Sequence, residues 1–140
     1  MNWFIYTLLA AFTASTTTIL AKMGMKDVGA SLATAIRTTV ALIFIWGVVF
    51  IKGTLKETSS ISSSSLLILI LCGLSSGFSM LFYYKALQLG NASQVAPLDK
   101  LSLLITIILA IFILKEKATF SIIIGAVLMS LGAILIGFGK

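Results

Sequence analysis

The chain has 140 residues, 59% hydrophobic and 10% charged, with a formal charge of +6, no histidine, one proline and one cysteine, and its mean hydropathy is +1.16. A water-soluble domain carries about a quarter charged residues, so this composition excludes one and makes lipid the solvent that decides the fold. The positive charge does not point to nucleic acid, because the cations stand singly at the ends of apolar stretches, where phospholipid headgroups lie, and form no patch.

Five apolar stretches hold about a hundred residues, at about 3–21, 31–51, 66–87, 95–114 and 119–138. Each has about 19 to 22 residues, which as a helix rising about 1.5 Å per residue spans roughly 30 Å of hydrocarbon. Strands would need half that length and would alternate polar residues on one face. The expected fold is an all-α integral membrane protein, one domain over 1–140 with five transmembrane helices.

The first segment begins almost at Met1 with no basic residue ahead of it and no small-residue cleavage site behind it, so it is expected to be retained. Trp3, Phe4 and Tyr6 stand where an interfacial aromatic belt belongs, and Ala11, Ala14, Thr18 and Ala21 share one smooth face ending at Lys22. On the second segment Thr34, Arg37 and Ala41 fall on one stripe. The connection over 52–65 is serine-rich and offers Ser65 as a helix cap. The other connections are tight turns, which force neighbouring helices to run antiparallel.

The third segment carries Gly73 and Gly77 in a small-xxx-small arrangement beside Ser76. Its Cys72 has no disulfide or metal-ligand companion and reads as a small packing residue. Near its end come Phe82, Tyr83, Tyr84 and Lys85, and the spacing exposes Tyr83 or Tyr84 beside Ser76 and Met80 as the wall of a substrate cavity. Asn91-Ala92-Ser93 matches a glycosylation acceptor but lies too close to the membrane to be given weight. The fourth segment opens with Pro97, Asp99 and Lys100, and Asp99, Ser102 and Thr106 form a polar stripe. Pro97 reads as a first-turn proline, a position also compatible with the kinked helices that line transporter sites. The fifth carries Gly125, Gly132 and Gly139 at intervals of seven with Ala126 and Ala133 beside them. Such strips are internal seams or a dimer surface, the seam being the safer reading for any one of them.

With five spans the termini lie on opposite sides. Lys52, Lys56, Lys115 and Lys117 fall on one side, and Lys22, Lys26, Lys85 and Lys140 on the other, with Arg37 and Lys100 deeper. Lysine and arginine excess sets orientation, and here it is small. Insertion both ways would allow an antiparallel homodimer whose ten helices reproduce the inverted repeat of many transporters; the alternative is a fixed orientation set by weak cues.

Lys22, Arg37, Lys85, Asp99 and Lys100 collect at one end by connectivity and sum to +3, a cationic vestibule. Snorkelling to the interface accounts for Lys22 and Lys85. Arg37 and Asp99 lie well inside their segments, where an unpaired charge costs about 2–3 kcal/mol, so they are expected to face protein or water. They form an ion pair with each other or act on a substrate directly.

The segments AKMGMKD at 21–27, ATAIRT at 33–38, LFYYKALQLGNASQVAPLDKLS at 81–102 and LKEK at 114–117, with the glycine-bearing last helix, resemble the single EamA-type domain of the drug/metabolite transporter superfamily over essentially the whole chain. The resemblance implies a bacterial or archaeal transporter with five helices per domain. Most members fuse two inverted copies, so a single copy resembles the short half-transporters that pair. The superfamily's small four-helix exporters use a membrane-embedded glutamate in their first helix to exchange protons for cationic drugs. The first segment here has no carboxylate, and only the seven-residue spacing of Gly125 and Gly132 is shared.

The expectation is a secondary transporter of an anionic, zwitterionic or neutral metabolite, working by alternating access as a homodimer in the cell (inner) membrane. Arg37, Lys100 and Lys85 would clamp a carboxylate or phosphate, with Asp99 holding Arg37 and Tyr83 and Tyr84 lining the site. A flippase for a phosphate-bearing lipid or lipid-linked sugar and a non-transporting accessory subunit are the alternatives. No nucleophile with its base, metal-ligand cluster or phosphate-binding glycine loop is present, which argues against an enzyme and against any metal or cofactor.

Overall fold

The structure, a computed structural model, describes residues 2–55 and 61–139; Lys56 and Lys140, counted in the charge balance, lie outside the described residues. The helices are α1 (Asn2–Gly24), α2 (Ala30–Lys52), α3 (Ser63–Leu89), α4 (Ala92–Asp99), α5 (Leu101–Ile113) and α6 (Phe120–Phe138). Because α4 and α5 together form one span, Ala92–Ile113, there are five spans long and apolar enough to cross a membrane, and no strand among the described residues. The all-α, five-span fold expected from the sequence is borne out.

Local chemistry sets the ends. The helix α3 begins at Ser63 because Ser62 caps it: the Ser62 hydroxyl oxygen accepts the Ser65 N–H at 3.1 Å and its O–H donates to Ser65 Oγ at 2.9 Å. The cap is therefore Ser62, not Ser65, one helical turn earlier than the hydropathy pattern implies. The α2 helix stops at Gly53, whose φ of 66° and ψ of 18° lie in the left-handed region. Its N–H closes on Phe50 O at 3.1 Å. At the end of α5 a non-glycine residue, Lys115, takes φ 55°. There the Ala110 carbonyl accepts N–H groups from both Leu114 and Glu116, at 3.1 and 3.2 Å.

The fourth span is broken. Pro97 stands in the second turn of α4, inside the helix and not in its first turn as the sequence pattern suggested. Proline leaves the carbonyl four residues before it without its helical donor. Beyond it the backbone tightens, with Lys100 N–H bonded to Pro97 O and Leu103 N–H to Lys100 O, both at 3.0 Å. Such three-residue bonds mark a short turn of tighter helix, and Lys100 separates α4 from α5.

The chain divides into two units, residues 23–88 and residues 1–22 with 89–140. In the first, Met25, Ala30, Thr34, Tyr84 and Leu87 are buried. Met25 lies in the turn before α2; Ala30 and Thr34 come from the N-terminal half of α2 and Tyr84 and Leu87 from the C-terminal half of α3, at spacings of four and three that keep one face of each helix inward. In the second, α4 and α5 both pack on α6. Ala126 and Ala133 are buried, and Gly137 lies against Leu98 so closely that a Cβ there would fall 2.6 Å from Leu98 Cγ. The seam of α6 thus runs through Ala126, Ser130, Ala133 and Gly137. Beside that seam, Gly125 and Gly132 have room for a Cβ with nothing within 4 Å. Gly73 and Gly77 on α3 are equally open, and Gly139 ends α6 with its N–H on Leu135 O at 2.8 Å. Nearly all the large apolar side chains elsewhere are exposed, Trp3, Phe4 and Tyr6 among them, as a surface meeting lipid or another chain requires.

Candidate functional site

The sequence-drawn vestibule divides between the units: Arg37, Tyr83, Tyr84 and Lys85 belong to the first, Lys22, Pro97, Asp99 and Lys100 to the second.

In the first unit, Arg37 on α2 is half-buried and faces α3. Its Nη1 donates to the thioether sulfur of Met80 at 3.3 Å, and its Cζ stands 5.8 Å from the centroid of the buried Tyr84 ring. The Tyr83 ring packs edge-on to Tyr84 at 6.3 Å, and Thr38 Oγ1 reaches the same sulfur at 3.9 Å. One turn before Arg37, Thr34 is buried with its hydroxyl donated to Ala30 O at 2.8 Å, so it does not compete for the guanidinium. Met80 and Tyr84 meet Arg37 from α3, and Leu87 continues their stripe at a spacing of four then three.

A thioether is a weak acceptor and an aromatic face attracts a cation only through its quadrupole. Arg37 is thus oriented by two soft, uncharged partners. Its planar fork of five donors can exchange them for an oxyanion, which it would engage through two parallel hydrogen bonds. Lys85, by contrast, is exposed and donates to Gln88 Oε1 at 3.3 Å on its own helix.

In the second unit, Asp99 pairs with its chain neighbour Lys100 at 3.6 Å, with the side chains 40% and 59% exposed. A pair so exposed contributes at most about 1 kcal/mol and leaves both groups open to other partners. The stripe through Asp99, Ser102 and Thr106 crosses the break at Lys100, and Thr106 donates its hydroxyl to Ser102 O at 2.9 Å. Lys22 departs from the snorkelling expectation. It is half-buried, and its Nζ donates to Gly90 O at 2.7 Å, taking up a carbonyl that the end of α3 leaves without a helical donor. Gln94 Nε2 reaches Gly139 O at 3.5 Å and Asn91 Nδ2 reaches Gln94 Oε1 at 3.3 Å, tying the start of α4 to the end of α6.

Sequence reasoning placed Met80 only as a neighbour of the tyrosines and missed its sulfur as the group that meets Arg37. The signal was present in the spacing of Met80, Tyr84 and Leu87, opposite that of Ala30, Thr34 and Arg37.

The family model described as "EamA-like transporter family" matches residues 1–138. A Sinorhizobium sp protein named "Uncharacterized transporter in cobO 3'region" is 38% identical over 135 residues, covering 96% of each chain. An uncharacterized protein of Methanocaldococcus jannaschii is 47% identical over 62 residues, 44% of each chain. No solved structure matches.

Proposed function

This chain belongs to the EamA-like transporter family as a multi-pass membrane protein, and on that premise we propose that it is a secondary transporter of a small anionic, zwitterionic or neutral metabolite in the cell (inner) membrane. The observation that carries the reading is Arg37, a permanent cation half-buried in a membrane-spanning helix whose partners among the described residues are a thioether and an aromatic ring. A carboxylate or phosphate supplies what that guanidinium lacks. Lys85, exposed on the same unit, attracts the anion toward it. Tyr83 and Tyr84 line the site. Pro97 and the break at Lys100 give the fourth span the discontinuity at which transporters place their sites.

The working unit is an antiparallel homodimer whose halves rock to alternate access. The near balance of positive charge between the two sides supports it, as do the open faces at Gly73, Gly77, Gly125 and Gly132. The chemistry is carriage, not catalysis, and it needs no cofactor.

The test is transport into proteoliposomes loaded against a panel of carboxylates and phosphate esters. Arg37→Ala is expected to abolish it while inserting at normal levels; normal transport by that variant refutes the site. The exposed Lys85 and Lys100 also suit a phosphate-bearing lipid headgroup, so movement of labelled lipid without movement of soluble anions would assign the protein as a flippase instead.

A further inference from the structure

Resting on Arg37 as the anion-holding group, we propose that Met80 and Tyr84 make the site selective for organic monoanions with an apolar body, over compact or multiply charged anions.

Among the described residues in contact with Arg37, none is charged. Arg37 is the only arginine of the chain, and the nearest lysine along α3, Lys85, is exposed and bonded to Gln88. One negative charge is matched there, and a second would be desolvated beside Arg37 without a partner, a penalty the compact dianion cannot recover.

The surroundings that hold Arg37 are apolar and polarisable. When an oxyanion takes the guanidinium from Met80 at 3.3 Å, the displaced thioether is left without a hydrogen bond at little cost, because sulfur is a weak acceptor. Its methyl and methylenes then face the ligand instead of the cation. Tyr84, one turn further along α3, presents its ring 5.8 Å from Cζ.

The surface next to this contact is open and carries no bulky side chain: Ser76 and Gly77, one turn before Met80 on α3, are exposed, and a Cβ at Gly77 would meet nothing within 4 Å. One turn after Arg37 on α2 stands Ala41. Acetate or phosphate would fill the fork and leave this surface uncovered. A monocarboxylate with a short chain or ring occupies both.

The experiment uses the fact that the chain has a single arginine, so its Nε–H resonance is unique in a spectrum of the 15N-arginine-labelled protein in phospholipid nanodiscs. Acetate, propionate, butyrate, succinate and phosphate are titrated and dissociation constants read from the Arg37 signal. Burial of each added methylene is expected to tighten binding about two- to fourfold from acetate to butyrate, with succinate and phosphate about tenfold or more weaker than butyrate. Met80→Ser is expected to flatten the series and to shift the ligand-free Arg37 signal, because the sulfur that meets the guanidinium is gone; its fold is checked by unchanged far-ultraviolet circular dichroism. If no anion moves the signal, the anion site itself is wrong and this inference falls with it. If anions bind without dependence on chain length, or succinate matches butyrate, the anion site stands and the selectivity is refuted.

Discussion

The contact between Leu98 and Gly137 fixes α4 on α6, and it can be tested by a change that helix chemistry alone would favour. Replacing a helical glycine by alanine stabilises by about 1 kcal/mol, because alanine loses less backbone freedom. At Gly137 the new methyl would fall 2.6 Å from both Cγ and Cδ1 of Leu98 and 2.7 Å from Cδ2. Cγ is not the far end of the side chain, so relief requires the leucine to leave its rotamer or α4 to move. Overpacking of this kind costs about 1–3 kcal/mol. The sum for Gly137→Ala is a net loss of up to about 2 kcal/mol. In a Leu98→Ala background the clash is gone and the same substitution should stabilise by about 1 kcal/mol. The cycle is measured by denaturant unfolding in mixed micelles of the wild type, both single variants and the double variant, and a coupling of about 1–3 kcal/mol is expected. If Gly137→Ala stabilises the wild type as much as it stabilises Leu98→Ala, the two residues do not touch, and the docking of α4 described here is wrong.

Ser62→Ala removes the cap of α3 and should cost about 1 kcal/mol, seen as faster hydrogen exchange at the amide of Ser65, whereas Ser65→Ala should cost under about half of that. Lys115→Gly should raise the unfolding temperature in detergent, because a left-handed φ of 55° costs a lysine about 1 kcal/mol that glycine does not incur; Lys117→Gly serves as the charge-matched control and should not. Cysteines placed singly at Ser62 and Lys26 in a Cys72→Ser background should each be labelled from both sides of the membrane; labelling from one side alone would remove the antiparallel homodimer.

The spans were legible because their signal is length and hydropathy, which lipid enforces everywhere at once. Their ends were less so. Ser63 to Ser65 look like loop by composition and become helix because Ser62 accepts a backbone N–H, a contact no hydropathy average can see. The break at Lys100 was half legible: Pro97 announced a disturbance, but the disturbance falls three residues later, where the backbone tightens. Lys22 reads as an interfacial lysine because its partner is the Gly90 carbonyl, and a backbone acceptor 68 residues away has no sequence signature. In the candidate site Arg37 and Tyr84 were found by charge depth and aromatic clustering. Met80 was passed over because methionine in a membrane helix ordinarily signals packing alone.

The soft partners of Arg37 change what its depth in the membrane means. A cation at the centre of a spanning helix costs about 2.5–3.5 kcal/mol, an upper bound for Arg37, which lies two turns from the start of α2. The aromatic face of Tyr84 returns about 0.5–2 kcal/mol, and the Met80 sulfur adds a weak hydrogen bond. The remainder, at most about 3 kcal/mol by difference, is small enough for the protein to carry and favours an arriving anion. Arg37 therefore does not need a carboxylate partner in order to be inserted. Arg37→Ala should lose anion binding and transport together, whereas Asp99→Asn, which leaves the guanidinium with Met80 and Tyr84, should keep anion binding.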